Sequence, residues 1–214
     1  MPSRIDRGAR FAQITEATAR VVAAEGLAAA SLRRVAAEAG LPLHALRHLC
    51  PDQDTLHQRT VKWLRRRAEQ DVQPSYGCTT PEQLLRWLVE SLVPRSEDAR
   101  MRARAWAAFR RDARPDSLAA EVVALDERQR INEITRFVDG VRRLRETEPR
   151  PSTVIYASEY TPPHPDDMDD SSLHVLALAA GLTSLLAEHR HPLSPEALHR
   201  WLQRLAPVHL DLPA

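Results

Sequence analysis

SLRRVAAEAGLPLHALRHLC, residues Ser31 to Cys50, reads as two short helices around a glycine-containing turn. Ser31 offers an N-cap hydroxyl to the free amides of the first turn, and Leu32, Val35, Ala36 and Ala39 then fall on one face at helical spacing. Gly40 closes that helix. After Leu41, Pro42 suits the opening turn of the next, where its missing amide has no helical partner to lose. In the segment Leu43–Cys50, Leu46 and Cys50 turn inward while Leu43, His44, Arg47 and His48 take the other sides. Upstream, Phe11, Ile14, Ala17, Thr18 and Val21 recur at three- and four-residue steps, a helix that Gly26 ends. Three helices with a tight glycine turn between the second and third make a helix-turn-helix.

Downstream, Pro51-Asp52 breaks and re-caps the chain into a longer helix that passes Trp63 and reaches about Val72. The stretch QPSYGCTT, residues 73–80, is a linker signal. Thr80-Pro81-Glu82 opens a helix carrying Leu84, Leu85, Leu88, Leu92 and Val93 up to Pro94. Ser96-Glu97-Asp98 opens another to about Ala113, with Met101, Ala105, Trp106, Ala108 and Phe109 as its apolar set. Pro115-Asp116-Ser117 starts a long one that keeps its periodicity through Ile131, Phe137 and Leu144. Prolines and acids between residues 147 and 170 indicate a surface loop. Ser171 or Ser172 caps a helix to about Glu188, and Ser194-Pro195-Glu196 begins a last one to about Leu205. The expected architecture is all-α with about nine helices. A helix-turn-helix domain occupies residues 1–50, with a connecting helix at 52–72. A helical regulatory and dimerisation domain follows at 73–206, and a tail at 207–214.

Composition agrees with helix: of 214 residues, 43% are hydrophobic and only 5% aromatic, which disfavours strands. No apolar run is long enough to span a membrane and no secretory signal is visible, so the expected compartment is the cytoplasm. Cys50 and Cys78 have no metal-site or disulfide spacing and read as free thiols. The net charge of +1 hides a segregation. Residues 1–70 carry 12 Lys and Arg against 7 Asp and Glu, a net +5, whereas the remaining 144 carry 18 against 22, a net −4. A basic head on a mildly acidic body suits a polyanion-binding module, because phosphate contacts depend on local charge.

The segment from Ser31 to Pro51 resembles the DNA-binding domain of the TetR family of bacterial regulators. The Ser cap, the Val35-Ala36 pair, the Ala39-Gly40-Leu41 turn, the short second helix and the proline after it follow in the family's order and spacing. LHVLALAAGLTSLLAEH followed by HPLSPEALHRWLQRL is similar to the last two helices through which such proteins dimerise. The resemblance implies a cytoplasmic homodimer on a pseudo-palindromic double-stranded DNA operator, with a small-molecule effector bound among the middle helices and repression as the usual outcome. It also implies base contacts from Leu43, His44 and Arg47, with Pro42 setting the helix start. Phosphate contacts fall to Ser31, Arg33, His48 and Gln53, and an arm of Arg4, Arg7 and Arg10 reaches phosphate or an adjacent minor groove. Identities depart from the family pattern where a tyrosine and an aromatic usually precede the proline, here Arg47, Leu49 and Cys50. Gln53 stands where a lysine is usual.

No reactive constellation accompanies this pattern. There is no G-x-S-x-G, phosphate loop, dinucleotide fingerprint or H-E-x-x-H, so an enzyme is not expected. His44 and His48 stand four apart without further ligands, and neither a metal nor a cofactor is expected. Trp87, Trp106, Phe109 and Phe137 are the aromatics available to line an effector pocket, although the same spacing serves a plain core. The contrasting reading is a helical dimeric interaction module that has lost specific DNA binding.

Overall fold

In the computed structural model, residues 7–71, 87, 94 and 96–129 are described, and the regular structure among them is entirely helical. Helix α1 (Arg7–Glu25) begins one turn before the expected Phe11 and buries Ile14, Thr15, Ala17, Thr18, Ala19, Val21 and Val22. Its two buried threonines satisfy their hydroxyls on the preceding turn: Thr18 donates to the Ile14 carbonyl at 2.8 Å and Thr15 to that of Phe11 at 3.0 Å. Gly26 ends the helix with φ 89° and ψ 167°. That conformation lies outside the left-handed helical region that helix-closing glycines usually take, and it is open essentially to glycine alone. A single 3-10 turn, Leu27–Ala29, follows; the sequence pattern gave no sign of it.

Helix α2 (Leu32–Glu38) starts where expected. Ser31 is its N-cap in extended conformation, and its Oγ accepts the Arg34 amide at 3.2 Å. At the other end Gly40, with φ 63°, donates to the Ala37 carbonyl at 3.1 Å while Leu41 donates to Ala36 at 2.9 Å. This reciprocal pair is the Schellman closure that a glycine after a helix predicts. Helix α3 (Leu43–Leu49) buries Leu46. Pro42 sits one residue earlier than the first-turn position expected for it: it is the N-cap, and its carbonyl accepts from Ala45 at 3.0 Å and Leu46 at 3.2 Å.

Asp52 caps helix α4 (Gln53–Asp71), one carboxylate oxygen accepting the Thr55 amide at 2.7 Å. Leu56, His57, Thr60, Val61 and Leu64 form its buried face. Helix α5 (Glu97–Asp112) is capped by Ser96, which accepts the Ala99 amide at 3.1 Å. Its acids in the first turn and arginines in the last complement the helix dipole. Ser117 caps the next helix, accepting the Ala120 amide at 3.2 Å, and the chain is helical from residue 118 to residue 129. The expected helices beyond that point, the loop at 147–170, the tail, Arg4, Cys78 and Phe137 lie outside the described residues, as does the helix expected at 80–94 apart from helical Trp87 and from Pro94.

The chain divides into two compact units, residues 1–70 with 95–126, and residues 71–94 with 127–214. Within the first, α1 is the centre. It packs most extensively on α5 and also meets α2 and the 3-10 turn, while α2 packs on α3. The core joins Ile14, Val21 and Val22 of α1 to Val35, Leu46, Leu56, Val61, Trp106 and Phe109. Residues 95–126, beyond the expected linker, thus complete the core under the helix-turn-helix.

Candidate nucleic-acid interface

Helix α3 has two sides that follow from its length and spacing. Leu46 and, at its C-cap, Cys50 are fully enclosed, and Leu43 and Leu49 are half-buried against the same core. His44, Arg47 and His48 are exposed at positions i, i+3 and i+4, which places them on one face of the helix. None of the three forms a hydrogen bond or ion pair with any described residue. Pro42 is exposed at the head of the helix, and Gln53 at the start of α4. Of the expected base-contacting residues, Leu43 is the one whose side chain is partly committed to packing.

On α2, neighbouring arginines are used differently. Arg33 is exposed and makes no contact with a described side chain. Arg34 instead folds back onto α1, its guanidinium 2.6 Å from Glu25 and 3.2 Å from Glu38. Arg20 of α1 reaches Glu38 at 3.2 Å and Glu16 at 2.7 Å. The hydrogen bond Arg34 donates to Glu25, then the one it donates to Glu38, raises Arg34 above the ordinary arginine value, while Arg20 and Arg34 together hold Glu38 below the ordinary carboxylate range. Gln13 adds a further tie, donating to the Ala39 carbonyl at 2.8 Å in the turn itself. The helix-turn-helix is therefore clamped to α1 by charge and hydrogen bonds as well as by its apolar core.

Cys50 and His57 are titratable groups buried in the first unit. Burial pushes the Cys50 thiol upward, the opposite of what a reactive cysteine needs. His57 on α4 is a site residue absent from the expected set, and its one sequence signal is that with Thr60, Val61 and Leu64 it falls on one helical face. Its Nε2 lies 3.2 Å from the Ala30 carbonyl, and its ring meets Phe109 edge-on at 5.6 Å and 82°. Desolvation is the leading influence on it and pushes it below the ordinary histidine value. The neutral tautomer bearing a proton on Nε2 is the one that donates to Ala30.

Of the expected effector-lining aromatics, Trp106 and Phe109 are buried members of the core of the first unit, and Trp87 is half-buried in the second. A groove of about 320 Å³ between α1, α2 and α5 is rimmed by Arg20, Arg34, Glu25, Glu38 and Arg104. Those charges are engaged with acids or bases of the same unit, Arg104 with Glu97 at 3.1 Å. Among the described residues no group of three or more His, Cys, Asp or Glu is placed to hold a metal ion, and no helix is long and apolar enough to cross a membrane.

No protein-family model matches the chain. Over 115 residues it is 37% identical to the HTH-type transcriptional regulator PksA of Bacillus subtilis strain 168, a match that takes in 53% of this chain and 56% of that protein. The chain thus spans little more than half the length of that curated relative. Among solved structures, a transcriptional regulator from Rhodococcus sp. Rha1 superposes with a TM-score of 0.68 at 19% identity, covering 95% of this chain and 99% of that one. A TetR-like transcriptional regulator from Rhodococcus sp. RHA1 gives 0.65 at 19% identity, with 98% and 100% covered. The multidrug binding protein EbrR, complexed with malachite green, gives 0.56 at 22% identity, with 92% and 97% covered.

Proposed function

We propose that this chain, which has the fold of the TetR-family transcriptional regulators, is a homodimeric DNA-binding regulator that reads a pseudo-palindromic operator through α3. The observation that carries the reading is the exposed, unpaired face of His44, Arg47 and His48 on a helix whose opposite side is locked in the core. Such a face is built to donate hydrogen bonds outward, and it stands in the basic part of the chain. Arg47 is the base-reading residue: a guanidinium in the major groove can offer two parallel donors to guanine O6 and N7, worth about 1–3 kcal/mol of discrimination. His44 and the edge of Leu43 contribute alongside it, and Pro42 fixes where the helix starts. Ser31, Arg33, His48 and Gln53 hold phosphate, joined by Arg4 and by Arg7 and Arg10, the last two standing in the opening turn of α1 and not in a free arm.

Regulation in this reading is repression relieved by a small molecule taken up among the helices after residue 73; Trp106 and Phe109, enclosed in the core of the first unit, are left out of its lining. The structure of EbrR, a neighbour in fold, is complexed with malachite green, which makes an aromatic cation a sensible first probe. The compartment is the cytoplasm, and no catalytic step is assigned. A gel-shift assay on the DNA upstream of the protein's own gene tests the central claim. Sequence-specific retardation that is lost in Arg47→Ala supports it; absence of any retardation at low ionic strength defeats it in favour of an interaction module.

A further inference from the structure

His57 is a buried titratable group that DNA reading does not itself require. It is 9% exposed, on the first turns of α4, and touches two other parts of the first unit. One is the Ala30 carbonyl, which immediately precedes the Ser31 cap of α2; the other is Phe109 of α5. The stretch Leu27–Ala30 brings no ionisable side chain toward it. The charged groups that face it are Asp54 on its own helix and Arg114 beyond α5. Those two neutralise each other, the Arg114 guanidinium lying 2.6 and 2.8 Å from the Asp54 carboxylate oxygens. An imidazolium at this position has an apolar ring on one side and no free counter-ion.

We propose that the neutral His57 imidazole pins the connection that launches the helix-turn-helix to α4 and α5, and that protonating it releases the pin and weakens DNA binding. This rests on the DNA-reading assignment above and adds a regulatory input to it. The physical sequence is short. Acidification places a second N–H on the ring; the Ala30 carbonyl still accepts from Nε2, but the charge and the new Nδ1–H stay desolvated, which outweighs that bond, and the ring gains solvation by leaving Ala30 and Phe109. Ala30 then loses its tie, and with it the fixed origin of α2. The folded-state preference is for the uncharged ring, so the pin is complete above the ordinary histidine value and is lost as pH falls from that value through the depressed one.

His44 and His48 on the outer face are common to the wild type and to every His57 variant. A comparison with His57→Gln cancels them, because that variant keeps an amide donor for Ala30 and cannot be charged. The assay measures affinity for a duplex selected by the wild-type protein from a randomised pool, from about pH 8 down to about pH 5. Both proteins are expected to bind with similar affinity at the upper end. Below about pH 6.5 the wild type should weaken relative to His57→Gln, approaching tenfold per pH unit once the ring is largely protonated, with helicity by circular dichroism unchanged. If His57→Gln does not fold, His57→Phe keeps the ring contact with Phe109 and supplies the same uncharged reference. A constant ratio across the range, or a fall only where helicity is lost, overturns the proposal. If no duplex is selected at any pH, the DNA assignment fails by itself. Amide exchange over residues 27–34 then decides the pin: faster exchange in the wild type than in the variant at low pH supports it, and equal exchange overturns it.

Discussion

Arg34 and Arg47 belong to the same helix-turn-helix and have opposite fates. Arg34 is spent on Glu25 and Glu38, a charged clamp on α1, whereas Arg47 has no partner among the described residues. The difference follows from which helix face each occupies, and it leaves Arg47 exposed for the base contact proposed above. Gln53 supports a sharper prediction at this scale. It is exposed at the start of α4, beside the Asp52 cap, and in the proposed complex its neutral amide would meet phosphate without releasing a counterion. Replacing it by lysine should tighten operator binding at low salt and steepen the plot of log affinity against log salt by about 0.9 per subunit. Fluorescence anisotropy across a salt series measures this; an unchanged slope removes Gln53 from the phosphate contacts.

At the scale of elements, the turns and caps determine where each helix begins and ends. Gly40 has φ 63° and nothing within 4 Å of where a Cβ would sit, so Gly40→Ala meets backbone strain without a clash. A loss of about 1–2 kcal/mol in denaturant unfolding is expected, and Ser31→Ala should cost about 1 kcal/mol through the lost cap. Leu46→Ala removes a fully enclosed side chain and should cost about 2–5 kcal/mol. The Asp52 cap adds a pH dependence: the Thr55 amide holds its carboxylate below the ordinary value. Its contribution is therefore present above the unfolded-state value and disappears as pH falls through the lower folded one. Thermal melts of Asp52→Asn, which keeps an acceptor but not the charge, should fall less steeply with acid than those of the wild type.

These same caps are what made the elements readable. Ser31, Gly40, Asp52, Ser96 and Ser117 each act where a local rule puts them, because a hydroxyl, a carboxylate or a missing Cβ acts within one turn of its own position. What escaped the sequence were contacts between distant segments. The Gln13 tie to Ala39, the Arg34 clamp and the His57 bond to Ala30 span 26, 9 and 27 residues. A helical pattern shows which face is inward but not which neighbour receives it. The same reason explains why residues 95–126 were assigned by sequence to the later part of the chain and yet pack in the unit that holds α1 to α4. Leu43 shows the limit within the site itself: its position on α3 is legible, its partial burial is not.

For the whole molecule, the segregated charge has a geometric consequence. Residues 1–70 carry net +5 and the remainder net −4, so in the proposed complex the charge available to phosphate is concentrated in the first 70 residues of each subunit. A single α3 of seven residues meets only a few base pairs, too few for selective binding in a genome, and the proposed dimer supplies the second reading helix. Two helices fixed in one assembly must enter the same face of the duplex, about one helical turn or a multiple of it apart. Inserting about five base pairs at the centre of the selected operator turns one half-site to the far side. Affinity should then drop to that of an isolated half-site. Inserting a full turn of about ten restores the facing and should recover part of the loss, limited by how far the two heads can separate. Titrating protein onto the three duplexes measures the periodicity directly. If the half-turn insertion binds as tightly as the parent operator, the subunits do not read DNA as a rigid pair, and the dimeric part of the proposed function falls while the role of Arg47 stands.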